Sequence, residues 1–162
     1  MSLNEVDRRG PLIVGVIPGQ HPEVVAQASL LAEQLERTII FVYVEPLSHS
    51  RSWNLTVMMN DLPVPPLEIE EDMSTNAFKI FTTLGALMGS SSATWILRIV
   101  GGEPWTALIR LASENHGSMF VVGTRKLNSG AHTSESLNGA VAAHLTDHQR
   151  LPVLVVPASA KN

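Results

Sequence analysis

Apolar residues along this chain gather into five short, nearly unbroken runs, and between the runs they recur at helical spacing. The first run, Leu12-Ile13-Val14-Gly15-Val16-Ile17, is closed by Pro18-Gly19. A run apolar at consecutive positions suits a strand buried on both faces, whereas a half-exposed strand alternates. From Pro22 to Arg37, Val24, Ala28, Leu31 and Leu35 keep the i, i+4, i+7, i+11 spacing of one helical face, with Pro22 acceptable in a first turn. A second run, Ile39 to Val44, ends at Glu45-Pro46. Strand, helix and strand in that order predict a right-handed βαβ unit.

The rhythm breaks from Glu45 to about Glu71, where Pro46, Pro63, Pro65 and Pro66 punctuate a long connection. Its apolar patch of Trp53, Leu55, Val57, Met58 and Met59 reads first as a satellite core and second as a lid. Helical spacing resumes at Met73, Ala77, Ile80, Leu84 and Leu87 and stops in Gly89-Ser90-Ser91-Ser92. Trp95 to Val100 predicts a third strand, and Gly101-Gly102-Glu103-Pro104 opens a helix with Leu108, Ile109 and Ala112 inward. Met119 to Gly123 is the fourth strand, followed by a looser stretch and a helix from about Ser136 to Gln149. The fifth, Val153 to Val156, is fenced by Pro152 and Pro157. Five buried-type strands separated by four helical segments predict an α/β fold, a five-stranded parallel sheet with helices on both faces, taken here in the order 3-2-1-4-5.

Composition narrows the function classes. At 162 residues the chain is the size of one domain, here residues 11–159 after a polar, loose segment over 1–10. Eleven Lys and Arg against 15 Asp and Glu give a net charge of −4, without a basic cluster. That argues against nucleic acid and anionic membrane surfaces as partners. Without cysteine there is no disulfide framework, thiolate metal site or thiol nucleophile. No run of apolar residues is long enough to predict a leader or a membrane span.

In an open α/β sheet the ligand crevice lies beyond the carboxyl ends of the strands where strand order reverses, here between the first and fourth strands. Those strands end in Ile17-Pro18-Gly19-Gln20-His21 and Gly123-Thr124-Arg125-Lys126. A glycine that lets backbone N–H groups approach, two cations and a following helix make an anion-site candidate. The plainer reading is turn chemistry at the glycine and surface charge at the cations. His144 and His148, with Asp147 beside them, have a spacing that can hold a metal on one helical face, but no third ligand accompanies them. They are read instead as flanking a core stripe of Leu137, Val141 and Leu145, and no metal is expected. His21 reads as a loop residue, and Trp105 as packing at its helix start. His132, Ser134 and Ser136 lack both a nucleophile elbow and a placed carboxylate, so no catalytic residue is assigned.

Several pieces together resemble universal stress proteins. In the C-terminal half they are Gly101 to Pro104, Phe120-Val121-Val122-Gly123-Thr124-Arg125, Leu137-Asn138-Gly139-Ala140-Val141 and Leu151 to Pro157. The first strand and helix and Val42-Tyr43-Val44-Glu45-Pro46 match in the N-terminal half, leaving Leu47 to Ser92 without a motif. The resemblance implies a cytoplasmic protein. ATP-binding members carry G-x2-G-x9-G-[S/T] after the fourth strand, the glycine amides and the hydroxyl holding phosphates. Gly123 and Gly139 match the first and third glycines, Lys126 stands at the second, and 12 residues rather than 9 separate it from Gly139. With Gly130 as the second glycine the spacings become six and eight. Ala140 stands at the hydroxyl position, and Ile17 where those members place an Asp that recognises the nucleotide. Val44 matches the position whose backbone meets adenine.

The residues that would hold a nucleotide are therefore Ile17, Pro18, Gly19, Val44, Gly123, Arg125, Lys126, Gly139 and Ala140. The expectation is a regulatory or interaction protein with an altered or lost adenine-nucleotide site. The alternative is a functional ATP binder, with or without slow hydrolysis. A nucleotide-transferring enzyme would need S-G-G-x-D-S or H-x-G-H after the first strand, and Pro18-Gly19-Gln20-His21 supplies neither. Val153, Leu154, Val155 and Val156 leave an apolar sheet edge that needs cover. The resemblance implies homodimers formed through that strand.

Overall fold

In the computed structural model, residues 9–45, 54–58, 75–124 and 135–157 are described. In chain order the elements are β1 (Leu12–Val16), α1 (Glu23–Leu35), β2 (Ile39–Glu45), β3 (Asn54–Met58) and α2 (Thr75–Leu87), then β4 (Trp95–Gly101), α3 (Pro104–Glu114), β5 (Met119–Gly123), α4 (Glu135–His148) and β6 (Val153–Val156). The sheet order is β3-β4-β2-β1-β5-β6. Its five parallel strands, β4-β2-β1-β5-β6, are those expected from sequence, in the expected order.

The sixth strand departs from expectation. β3 lies in the Pro-rich connection and runs antiparallel along the outer edge of β4, with Leu55 opposite Ile99 and Val57 opposite Leu97. It caps one edge of the parallel sheet, so the stretch read as an irregular connection with a satellite core contains regular sheet. Trp53 and Met59 lie outside the described residues.

Strand side chains alternate between two faces, and here both faces are apolar, which divides the core in two. On one face Val14, Phe41, Leu97 and Val121 pack with Ala28 and Ala32 of α1 and Ile80 and Leu84 of α2. On the other, Ile13, Val42, Val100 and Phe120 pack with Leu108 and Leu111 of α3 and Val141 and Leu145 of α4. Phe41, Phe120 and Leu12 are among the largest fully buried side chains, each stabilising by about 1.5–3 kcal/mol relative to exposure. Phe41 also meets Trp95 edge-on, ring centroids 5.7 Å apart.

α1 is rotated slightly from the expected stripe. Val24, Val25, Ala28 and Ala32 are its buried residues, while Leu31 is half-buried and Leu35 exposed. Alanines at the contact let the helix lie close to the sheet, so the larger Leu31 and Leu35 fall to the flank. In α2, Leu87 is likewise exposed where the helix ends. Among the described residues, no helix is long and apolar enough to cross a membrane.

Candidate functional site

Two turns shape the carboxyl end of the sheet. After β1, Pro18 and Gly19 occupy the middle of a tight turn closed by the Gln20 N–H donating to the Ile17 carbonyl (3.3 Å). Gly19 has φ 69, which glycine adopts without cost, and Pro followed by such a Gly is the sequence demand of a type II turn. The turn sends Gln20 back over the strand end, where its Oε1 accepts the Ile17 N–H at 3.2 Å. After β4, Gly102 has φ 119 and Glu103 is extended ahead of Pro104 in the first turn of α3. Proline suits that position because its missing N–H has no partner there anyway.

Between these turns lies a cavity of about 400 Å³, at the place where strand order reverses between β1 and β5. A cavity of this size is within the range that takes small ligands. Val42, Val44, Leu108, Val122 and Val141 form apolar wall, with Ile17 and Pro18 at the β1 end and Pro104 at the start of α3. Its polar side chains among the described residues are Gln20, Tyr43 and Asn76; none of the described lining residues is charged. Burial pushes the Tyr43 phenol above its ordinary value, and the Glu45 charge adds to this against a hydrogen bond with Asn76.

Of the expected nucleotide residues, Ile17, Pro18, Val44 and Gly123 are brought together around this one cavity. Gly19 is exposed in the adjoining turn. Gly139 and Ala140 lie in α4, Ala140 half-buried beside the cavity residue Val141. Arg125 and Lys126 lie outside the described residues.

Gln20 was not singled out by the motif, yet it joins two of the residues that were. A Cβ on Gly123 would lie 2.9 Å from Gln20 Nε2 and 2.6 Å from Val24 Cγ2. The Gln20 amide therefore spans from the Ile17 N–H to the face of Gly123. The sequence held one clue, a polar residue placed just past Pro-Gly. Its contact with Gly123 is between distant segments and has no local signal.

Elsewhere, His21 is exposed and its Nδ1 accepts the Glu23 N–H at 3.2 Å, serving the start of α1. Trp105 is half-buried, with His144 stacked on it at 4.7 Å and His148 tilted against it at 4.8 Å between centroids. The helical spacing of the two histidines thus places both on an indole. Among the described residues no three His, Cys, Asp or Glu side chains are grouped to hold a metal. The strand-five residues form β6, which ends the sheet: Val156 is buried, Val153 half-buried, and Leu154 and Val155 exposed.

Comparison with known proteins adds three findings. A model described as "Universal stress protein family" matches residues 11–157. No curated protein matches the chain by sequence. Solved structures share its fold. A universal stress family protein from Burkholderia pseudomallei is 21% identical with TM-score 0.60, covering 93% of this chain and 98% of its own. A universal stress protein in complex with cAMP is 23% identical with TM-score 0.61, covering 93% and 99%. One from Archaeoglobus fulgidus in complex with dAMP is 16% identical with TM-score 0.59, covering 91% and 97%.

Proposed function

The chain belongs to the universal stress protein family, and we propose that it acts as a dimeric regulatory or interaction protein, without turnover, whose adenine-nucleotide site is altered. The observation that carries this reading is the cavity at the strand reversal, none of whose described lining residues is charged. Ile17 stands at the end of β1 where a carboxylate would be expected to recognise the nucleotide, and Gln20 lies against Gly123 where a phosphate would approach backbone amides. A ring fits the apolar walls. A polyphosphate does not fit the described part of the site, because an unpaired charge in such surroundings costs more than a lost neutral hydrogen bond.

The absence of turnover rests on the same residues. Among the described residues lining the cavity none is an acid, a histidine or a cation that could move a proton or hold a metal. Dimerisation through β6 is supported by its position at the sheet edge and by the exposure of Leu154 and Val155. A cytoplasmic location accords with the cysteine-free composition.

The second reading is a working ATP site in which Arg125 and Lys126 supply charge to the phosphates. It is favoured by the placement of Gly123 at the cavity and by the fold shared with proteins solved with cAMP and dAMP. Isothermal titration with ATP and ADP separates the two. The altered site gives no heat, or affinity no better than millimolar, whereas micromolar affinity overturns it in favour of the second.

A further inference from the structure

A second cavity, of about 1000 Å³, lies at the opposite end of the sheet, where the chain enters β1, β5 and β6. It is independent of how the crevice at the strand reversal is read. Buried Phe120 and Ala112 and half-buried Ile109 and Leu151 give it apolar wall. Two of its polar side chains serve the fold. Ser118 Oγ donates to the Gly10 carbonyl at 2.7 Å, and Gln149 Nε2 donates to the Leu145 and Leu151 carbonyls at 2.6 and 3.0 Å. Arg9, His116 and Arg150 are exposed at its edge, and none of the described lining residues is an acid.

Each of these three is presented by a braced piece of backbone. The segment before β1 is pinned to the turn before β5 by the Ser118 hydroxyl and by the Ser118 N–H donating to the Pro11 carbonyl at 2.9 Å. Gly10 lies so close to the His116 carbonyl that a Cβ would overlap it, which sets Arg9 beside that turn. His116 has φ 53, a left-handed conformation that glycine takes more cheaply, so an imidazole is kept there at a cost. The Gln149 bonds bracket Arg150 on both sides. Among the described residues the side chains of His116 and Arg150 make no hydrogen bond or ion pair, while Glu114 at the end of α3 pairs with Arg110 at 3.9 Å. Positive groups here also complement the C-terminal ends of α3 and α4, but that role does not call for an apolar cavity between them.

We propose that this cavity binds an organic acid with an apolar body. Its carboxylate lies at the edge against the Arg9 and Arg150 guanidinium groups and the His116 imidazole, and its body lies on Phe120, Ile109 and Leu151. Guanidinium forks match a carboxylate, and the volume falls at the upper end of small-ligand sites.

Decanoate, decan-1-ol and acetate separate the parts of the claim, followed by NMR chemical shifts on the whole chain. Decanoate should shift residues 9–10, 116–118 and 149–152, with an affinity at least about tenfold better than the alcohol or acetate. Arg150→Gln should weaken decanoate about fivefold or more and leave decan-1-ol unchanged. His116→Gly should weaken decanoate too while raising Tm, since it relieves the left-handed backbone, so its loss of binding cannot be put down to misfolding. Decan-1-ol or acetate bound as tightly as decanoate overturns the proposal, as do shifts confined to the Ile17 and Gly123 end or no shift at millimolar decanoate. Decanoate affinity unchanged in both variants, with a lower Tm in Arg150→Gln, would assign the guanidinium to the helix end alone and overturn it equally.

Discussion

Gly123 is small for a packing reason as much as for a ligand. Its backbone pairs with Val156 of β6 inside the sheet, so no unusual conformation requires glycine. Its missing Cβ would instead sit 2.6 Å from Val24 Cγ2 and 2.9 Å from Gln20 Nε2. Val24 is buried on α1 and has little room to give way. Gly123→Ala should therefore cost about 1–3 kcal/mol through overpacking. Gly15 is the control within the same cavity. A Cβ there meets Leu108 and Val122 at 3.5 Å, which is ordinary contact. Gly15→Ala should be neutral or stabilise by up to about 1 kcal/mol, since glycine within a strand has more freedom to lose on folding. Urea melts of the two variants check the pair, and equal midpoints would show that Gly123 is not held small by Val24. The glycine after a strand was legible in the sequence as turn or phosphate chemistry. Its contacts were not, because Val24 and Gln20 approach it only once the sheet has formed.

At the scale of elements, α1 is tied to the turn between α2 and β4 by the Glu33 carboxylate and the Ser29 hydroxyl. Glu33 Oε1 accepts from Ser91 Oγ at 2.8 Å and from the Ser92 N–H at 3.0 Å. Ser91 Oγ in turn accepts from Ser29 Oγ at 2.6 Å and from the Ala93 N–H at 3.1 Å. The Ser91 bond first, and the Ser92 bond second, hold the Glu33 carboxyl below its ordinary value of 4.5. A carboxyl whose value is lowered on folding stabilises the fold fully above its unfolded value. That contribution fades as pH falls through the lowered folded value. Glu33→Gln should thus lower Tm slightly at pH 7, with a difference that shrinks towards pH 3, and thermal melts across that range measure it. A difference that does not change with pH would mean that the charge of Glu33 contributes nothing. The Gly89 to Ser92 stretch could be read as a helix end and loop from composition, but not as the anchor of another helix. The parallel strands were legible for the opposite reason: each is buried on both faces, so its apolar run is nearly continuous and needs no partner to be recognised. β3 has five residues among prolines, and its polar–apolar alternation over Asn54 to Val57 is too short to settle a strand before the open edge of β4 supplies a partner.

For the whole molecule, the two sheet edges are treated differently. β4 is capped by antiparallel β3, whereas β6 has β5 on one side and, among the described residues, no strand on the other. An apolar strand left so is a site for pairing with another chain. Val153 and Val156 are turned into opposite faces of the core, half-buried and buried. Leu154 and Val155 are 37% and 40% exposed, one on each face of the sheet. Exposure on both faces at one edge calls for a partner that continues the sheet rather than one that lies across it. A second copy of β6 related by a two-fold axis does this, since each edge then supplies the groups the other lacks. Light scattering at micromolar concentration should give a mass twice the 17.5 kDa of the chain. Val155→Lys, placing at the edge the charge that natural edge strands use against pairing, should shift the mass to the monomer without lowering helix content. Phe78 is 40% exposed on α2, which packs on α1 and β2, so Phe78→Lys should leave the dimer intact. A wild-type monomer, or a dimer indifferent to Val155→Lys, would place the assembly elsewhere or remove it, and the apolar edge would then need another occupant.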